Sequence, residues 1–119
     1  MNNATRKGYR VVDIGNDGSF MTLFHGINKS RKLKQGRWLT CERKIVCEGV
    51  GGRKYISAFH VLPTIEDCFE FAKIFKNREN RRIISLKYRQ FRPKRNARGP
   101  VLLANQILIP KRCEVYSLP

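Results

Sequence analysis

The segment Val101-Leu-Leu-Ala-Asn-Gln-Ile-Leu-Ile109 is nearly all apolar and is closed by Pro110. Such a run reads as a central strand, buried on both faces, and the rest of the chain has to cover it. The preceding segment behaves differently. In Arg82-Ile-Ile-Ser-Leu-Lys-Tyr-Arg89, Ile84, Leu86 and Tyr88 alternate with Ser85, Lys87 and Arg89. That is the signature of a half-exposed strand with a basic outer face. With 119 residues, 41% of them hydrophobic, the chain can bury one ordinary core, and a single domain over 1–119 is expected.

Further strands are expected on either side. Tyr9–Ile14 and Ser19–Phe24 flank Gly15-Asn-Asp-Gly18, a strong turn signal, and so read as a hairpin. Asn28 to Arg37 is polar and reads as a loop. Trp38–Cys47 reads as one strand, turned by Gly49-Val-Gly-Gly52 into a second, Tyr55–Leu62. Phe91 to Gly99 is a basic loop punctuated by proline and glycine, and Cys113–Tyr116 is a short edge strand. One helix is expected over about 64–76. Thr64 is its N-cap with Asp67 three residues on, and Ile65, Cys68, Phe69, Ala72 and Phe75 form an apolar stripe. The expected class is therefore α+β, a bent antiparallel or mixed sheet of about six strands with the main helix on one face.

Charge restricts the partners. Lys and Arg total 25 against 9 Asp and Glu, a formal net charge of +16. No apolar run approaches the ~20 residues of a bilayer span, and the first residues have no apolar stretch of the secretory type, so a cytoplasmic protein is expected. The charge is also segregated. From 76 to 98, Lys76, Arg78, Arg81, Arg82, Lys87, Arg89, Arg92, Lys94, Arg95 and Arg98 stand against Glu79 alone. From 29 to 54, nine more cations stand against Glu42 and Glu48, while three of the nine acids fall on the helix. Arginine-rich segments interleaved with aromatics suit phosphate contact and base stacking. Arg89, Arg92, Lys94, Arg95 and Arg98, then Arg31, Lys32 and Lys34, are the expected contacts. Phe91 and Tyr88 are stacking candidates, although the alternation also allows Tyr88 a place in the core. No helix-turn-helix, zinc finger or ribonucleoprotein motif is present, so RNA and DNA both remain open.

Cys41, Cys47, Cys68 and Cys113 show no metal-binding spacing, and reduced thiols without zinc are expected. His25 and His60 have no acidic neighbour in sequence and read as structural, and no catalytic residue is expected.

Leu-Phe-His-Gly at 23–26, Trp-Leu at 38–39, Ser-Ala-Phe-His-Val-Leu-Pro-Thr-Ile-Glu-Asp at 57–67 and Leu103-Ala104 resemble motifs of small bacteriophage and mobile-element proteins. The likeness runs roughly from Tyr9 to Pro110. It carries no activity over, and it implies a host-directed or genome-handling accessory protein in bacterial cytoplasm. The order of elements is also similar to the ADP-ribosyltransferase fold. That likeness implies that His25 and Gly26 would hold NAD, if NAD is bound. The late strand departs from that pattern, because Asn105 and Gln106 stand where a carboxylate is needed to stabilise an oxocarbenium-like transition state.

The expected function is thus nucleic-acid binding without catalysis and without a cofactor. One alternative is an anti-CRISPR-like inhibitor that binds an acidic host protein or nucleoprotein complex of defence or transcription. The other is an NAD-linked transferase.

Overall fold

The computed structural model describes residues 4–23, 32–41, 45–47, 54–75, 79–95, 97 and 99–118, with backbone only for Val46, Cys47 and Tyr55. Among these residues 51% lie in strands and 9% in a single helix, and eight strands form one nearly closed, barrel-like sheet. The expected α+β class with six strands and a main helix is therefore wrong. The helix is a short cover on a β-barrel.

The strands are β1 (Arg6–Ile14), β2 (Phe20–Met21), β3 (Lys32–Leu33), β4 (Trp38–Thr40), β5 (Ile45–Cys47), β6 (Lys54–Ile56), β7 (Phe59–Val61), β8 (Arg81–Pro93), β9 (Leu102–Leu108) and β10 (Val115–Ser117). The order across the main sheet is β3-β2-β1-β8-β9-β4, with β10 on β8 and β7 on β9. All pairings are antiparallel. Both segments expected as single strands are divided. Trp38–Cys47 gives β4 in the barrel and β5 outside it, and Tyr55–Leu62 gives β6 outside and β7 inside. β5 and β6 form a separate two-stranded ribbon.

Closure follows from strands that serve two partners along one edge. The N-terminal half of β9 pairs with β7 and its C-terminal half with β4. Just past β7, Leu62 exchanges both backbone hydrogen bonds with Tyr9 of β1, at 2.9 and 2.8 Å. The ring β1-β8-β9-β7 is thereby complete. At the other end β2 and β1 join through the expected hairpin. Gly18 takes a positive φ of 81°, and the Asp17 carboxylate accepts from the Ser19 amide and hydroxyl and from Lys32.

Gln90 turns β8 inside out. Its φ of 56° is the left-handed region, which a side chain adopts at a cost of about 1 kcal/mol. Before it, Ile84, Leu86 and Tyr88 point into the barrel. After it Phe91 does, so the inward positions shift parity. The facing strand does the same, with Leu102 and Ala104 inward, then Ile107 and Ile109. Gln90→Gly should keep or raise stability, by up to about 1 kcal/mol, whereas Gln90→Val should lose at least that much. Urea midpoints of the two variants test this.

Val12, Phe20, Leu33, Leu39, Phe59 and Val61 complete the interior. A second apolar cluster lies outside the barrel wall, where Val11, Ile83, Leu62 and Val101 meet the helix α1 (Ile65–Ala72). Thr64 caps α1, its hydroxyl accepting from the Asp67 amide and donating to the Asp67 carboxylate. The helix ends at Ala72 rather than 76. Ile74 and Phe75 continue only as a turn with three-residue hydrogen bonds. None of the described helices is long and apolar enough to cross a membrane.

Candidate nucleic-acid interface

Register defines a strip on the outside of the barrel. Tyr88, Ile107 and Leu39 point inward, so alternation sends Lys87, Arg89, Gln106, Leu108, Trp38 and Thr40 outward. They fall in two adjacent rows across three strands: Lys87, Leu108 and Trp38, then Arg89, Gln106 and Thr40. Past the reversal at Gln90 a third row joins the same side, with Arg92 and His60 partly exposed on either side of the buried Leu103. From Leu108 to Leu103 the strip is roughly 17 Å long at ordinary strand rise.

The middle rows are tied together. Arg89 Nε donates to Gln106 Oε1 at 2.6 Å, and Gln106 Nε2 donates to Thr40 Oγ1 at 3.0 Å. The Arg89 guanidinium lies 3.8 Å from the centroid of the Trp38 ring. That is a cation–π stack with the cation locked in orientation by its hydrogen bond.

Cations gather at both ends. At one end the loop holding Lys34 and Arg37 lies on the segment holding Lys111 and Arg112. Gln35 donates to the carbonyls of Pro110 and Lys111 there, and the Gly36 amide donates to the Ile109 carbonyl. At the other end stand Arg92, Lys94 and Arg95. The side chains of Lys34, Arg37, Lys87, Arg95, Lys111 and Arg112 are exposed and make no hydrogen bond or ion pair to a described residue. No acid lies in β4, β6, β7, β8 or β9, nor in 34–37 or 109–113. The described acids sit elsewhere, and four of them hold cations there: Asp13 with Arg81, Asp17 with Lys32, Glu70 with Lys73 and Glu114 with Lys7.

The expected contacts separate on this surface. Arg89 and Lys34 belong to the strip, and Arg95 stands exposed at its end. Arg92 is partly structural. Its Nη2 donates to the Ile56 carbonyl at 2.8 Å and its Nη1 to Asn105 Oδ1 at 3.4 Å, which ties the β5–β6 ribbon to the barrel. Lys94 Nζ sits 3.0 Å from His60 Nε2. Lys32 is held by Asp17 on the hairpin side. Tyr88 is a correction as a stacking candidate. It is 2% exposed in the barrel core, and burial raises its pKa. Phe91 packs on that core too, between the Tyr88 ring at 5.0 Å and the Arg6 guanidinium at 5.2 Å. Arg31, Arg98, His25 and Gly26 lie outside the described residues. Trp38, Thr40, Gln106, Arg37, Lys111 and Arg112 were not among the expected contacts.

Arg10, also absent from those expectations, shares the inward face of Val12. Arg10 is 9% exposed, its Nη1 donates to the His60 carbonyl at 2.9 Å, and its Nε has no partner. The Phe59 ring lies 5.5 Å from the guanidinium, and no carboxylate pairs with it among the described residues. Burial lowers its pKa to about 10. A base whose folded pKa is lowered opposes folding at every pH below that value, here by about 3 kcal/mol. Arg10→Met should therefore stabilise the chain by about 1–3 kcal/mol near neutral pH. A lower unfolding midpoint would show that the bond to His60 outweighs the desolvation.

Cys41, Cys68 and Cys113 are free thiols, and burial pushes Cys68 up to about 12. Among the described residues no three His, Cys, Asp or Glu side chains gather as metal ligands would. Glu114, directly before β10, is engaged by Lys7 and the Tyr116 hydroxyl. Comparison with protein-family models, with curated proteins and with solved structures finds no match to this chain.

Proposed function

We propose that the chain is a non-enzymatic nucleic-acid-binding protein, an accessory factor of the phage type acting in bacterial cytoplasm, and that it binds through the strip on β4, β9 and β8. One observation carries this reading: six exposed cations without partners among the described residues flank a surface that holds none of the described acids, which are drawn to other parts of the barrel. A polyanion relieves that concentration of like charge. Hydrogen-bonding and stacking groups between the two cation clusters favour nucleic acid over a featureless polyanion.

A second reading, an inhibitor that docks on a host protein, is favoured by the β5–β6 ribbon. Ile45 and Ile56 face each other directly across it and are 74% and 42% exposed. Capture from bacterial lysate, with and without nuclease, separates the two. The first reading expects co-purifying nucleic acid, with any captured protein lost on nuclease treatment. A protein retained after nuclease, with no nucleic acid bound, would favour the second.

A further inference from the structure

We infer that the Trp38–Arg89 pair is a stacking platform for unpaired bases, so that the ligand of the strip is a single-stranded polynucleotide rather than a duplex. The inference rests on the nucleic-acid reading above and gives it a substrate class. Trp38 is the chain's one tryptophan. The side chains of all other described aromatics (Tyr9, Phe20, Phe59, Phe69, Phe71, Phe75, Tyr88, Phe91 and Tyr116) pack in one of the two apolar clusters, and Trp38 belongs to neither. It stands partly exposed on the outer wall beside the outward Leu108, so the two apolar clusters do not account for it.

The surroundings suit a base. The Arg89 guanidinium parallels the role of a neighbouring base in a stack, and its tie to Gln106 fixes it before any ligand arrives. Ordering therefore costs little on binding. The guanidinium keeps further N–H donors for a phosphate or a base edge. Thr40, exposed at the end of the row, accepts from Gln106 and retains its own hydroxyl proton to donate. Lys87 on one side and Lys34, Arg37, Lys111 and Arg112 on the other bracket the platform with backbone-neutralising charge.

A duplex cannot use this arrangement, because its bases present edges and not faces. No described helix lies on the strip to enter a groove. The only described helix lies on another part of the wall and carries Glu66, Asp67 and Glu70.

Because Trp38 is the sole tryptophan, its emission reports the platform directly. The wild-type chain is titrated with a deoxythymidine oligomer of about 12 nucleotides, with a duplex of the same length and with inorganic polyphosphate. The oligomer should bind more tightly than the duplex and quench Trp38, and polyphosphate should bind without quenching. Trp38→Ala should weaken oligomer binding about tenfold to a hundredfold, and Trp38→Phe should recover most of the loss. Thermal midpoints of both variants check that they fold. Oligomer binding with unchanged Trp38 emission, or duplex bound more tightly than single strand, would overturn the platform and leave the basic face standing. Binding to polyphosphate but to neither nucleic acid would overturn the functional reading itself.

Discussion

Raising salt from about 50 to 200 mM should weaken binding of a single-stranded oligonucleotide by about three-hundredfold if all six exposed cations contact phosphates. The same six contacts on a duplex would give about a two-thousandfold loss, because more counterions are released per phosphate. Lys34, Arg37, Lys87, Arg95, Lys111 and Arg112 are the side chains concerned. Each is exposed and makes no hydrogen bond or ion pair to a described residue, so its charge is available to a ligand and is not consumed by the fold. Reversing Lys87, Lys111 and Arg112 to Glu should remove at least three contacts and flatten the salt slope by about 2. The unfolding midpoint should hardly move, since exposed positions without partners change stability by about 0.5 kcal/mol or less each. Arg92 is the instructive contrast. Arg92→Glu removes the hydrogen bonds that Arg92 gives to the Ile56 carbonyl and to Asn105 Oδ1, so it should lower stability as well as affinity. A salt-independent affinity would remove the phosphate contacts from the account altogether.

The basic character of this surface was partly readable from the chain: Lys87, Arg89, Arg92, Lys94 and Arg95 of the basic run 76–98 lie along it, whereas Arg81 is held by Asp13, and Lys111 and Arg112 belong to neither basic run. Its composition was only half readable. Alternation along 82–89 placed Ile84, Leu86 and Tyr88 on one face, and those three residues do enter the barrel together. Phe91 and Arg92 could not be assigned the same way. The pleat reverses at Gln90, and glutamine is not a residue that signals a left-handed conformation. Arg10 had a signal that went unused: it alternates with Val12 and Ile14, which puts a cation on the buried face. Trp38 had one as well, a lone tryptophan directly after the basic residues Lys32, Lys34 and Arg37.

The barrel itself was hidden for a different reason. Its pairs are long-range, Tyr9 with Leu62 and Arg6–Asp13 with Arg81–Tyr88, and nothing local specifies them. The divided segments make the same point. Trp38–Cys47 and Tyr55–Leu62 each begin and end in strand formers, with Glu42-Arg-Lys44 and Ser57-Ala58 as the weak stretches between them. Each leaves the barrel wall partway, because β9 offers only a short stretch of edge to β4 and to β7.

That closure gives the largest stability effect to expect. Gly8 stands on β1 opposite Leu86, one residue before the Tyr9–Leu62 bridge. A Cβ there would lie 2.6 Å from Tyr88 Cε1, 2.7 Å from Val61 Cγ1 and 2.9 Å from Tyr88 Cδ1. Neither neighbour can retreat. Tyr88 is fully enclosed with Phe91 against it, and Val61 is fully buried on the strand that closes the ring. The conflict is steric and not conformational, since Gly8 has no positive φ. Gly8→Ala should therefore destabilise by about 3 kcal/mol, at the upper end of overpacking costs. Gly8→Val adds two more carbons and should cost more than that, a large share of a small domain's stability. Urea unfolding followed by the emission of Trp38 measures both. Removing Val61 Cγ1 and Cγ2 should restore part of the loss, so Gly8→Ala with Val61→Ala should be less destabilised than the two single changes added together. If Gly8→Ala proved as stable as the wild type, the β1–β7 seam would have to be open in solution, and the sheet would be curled rather than closed.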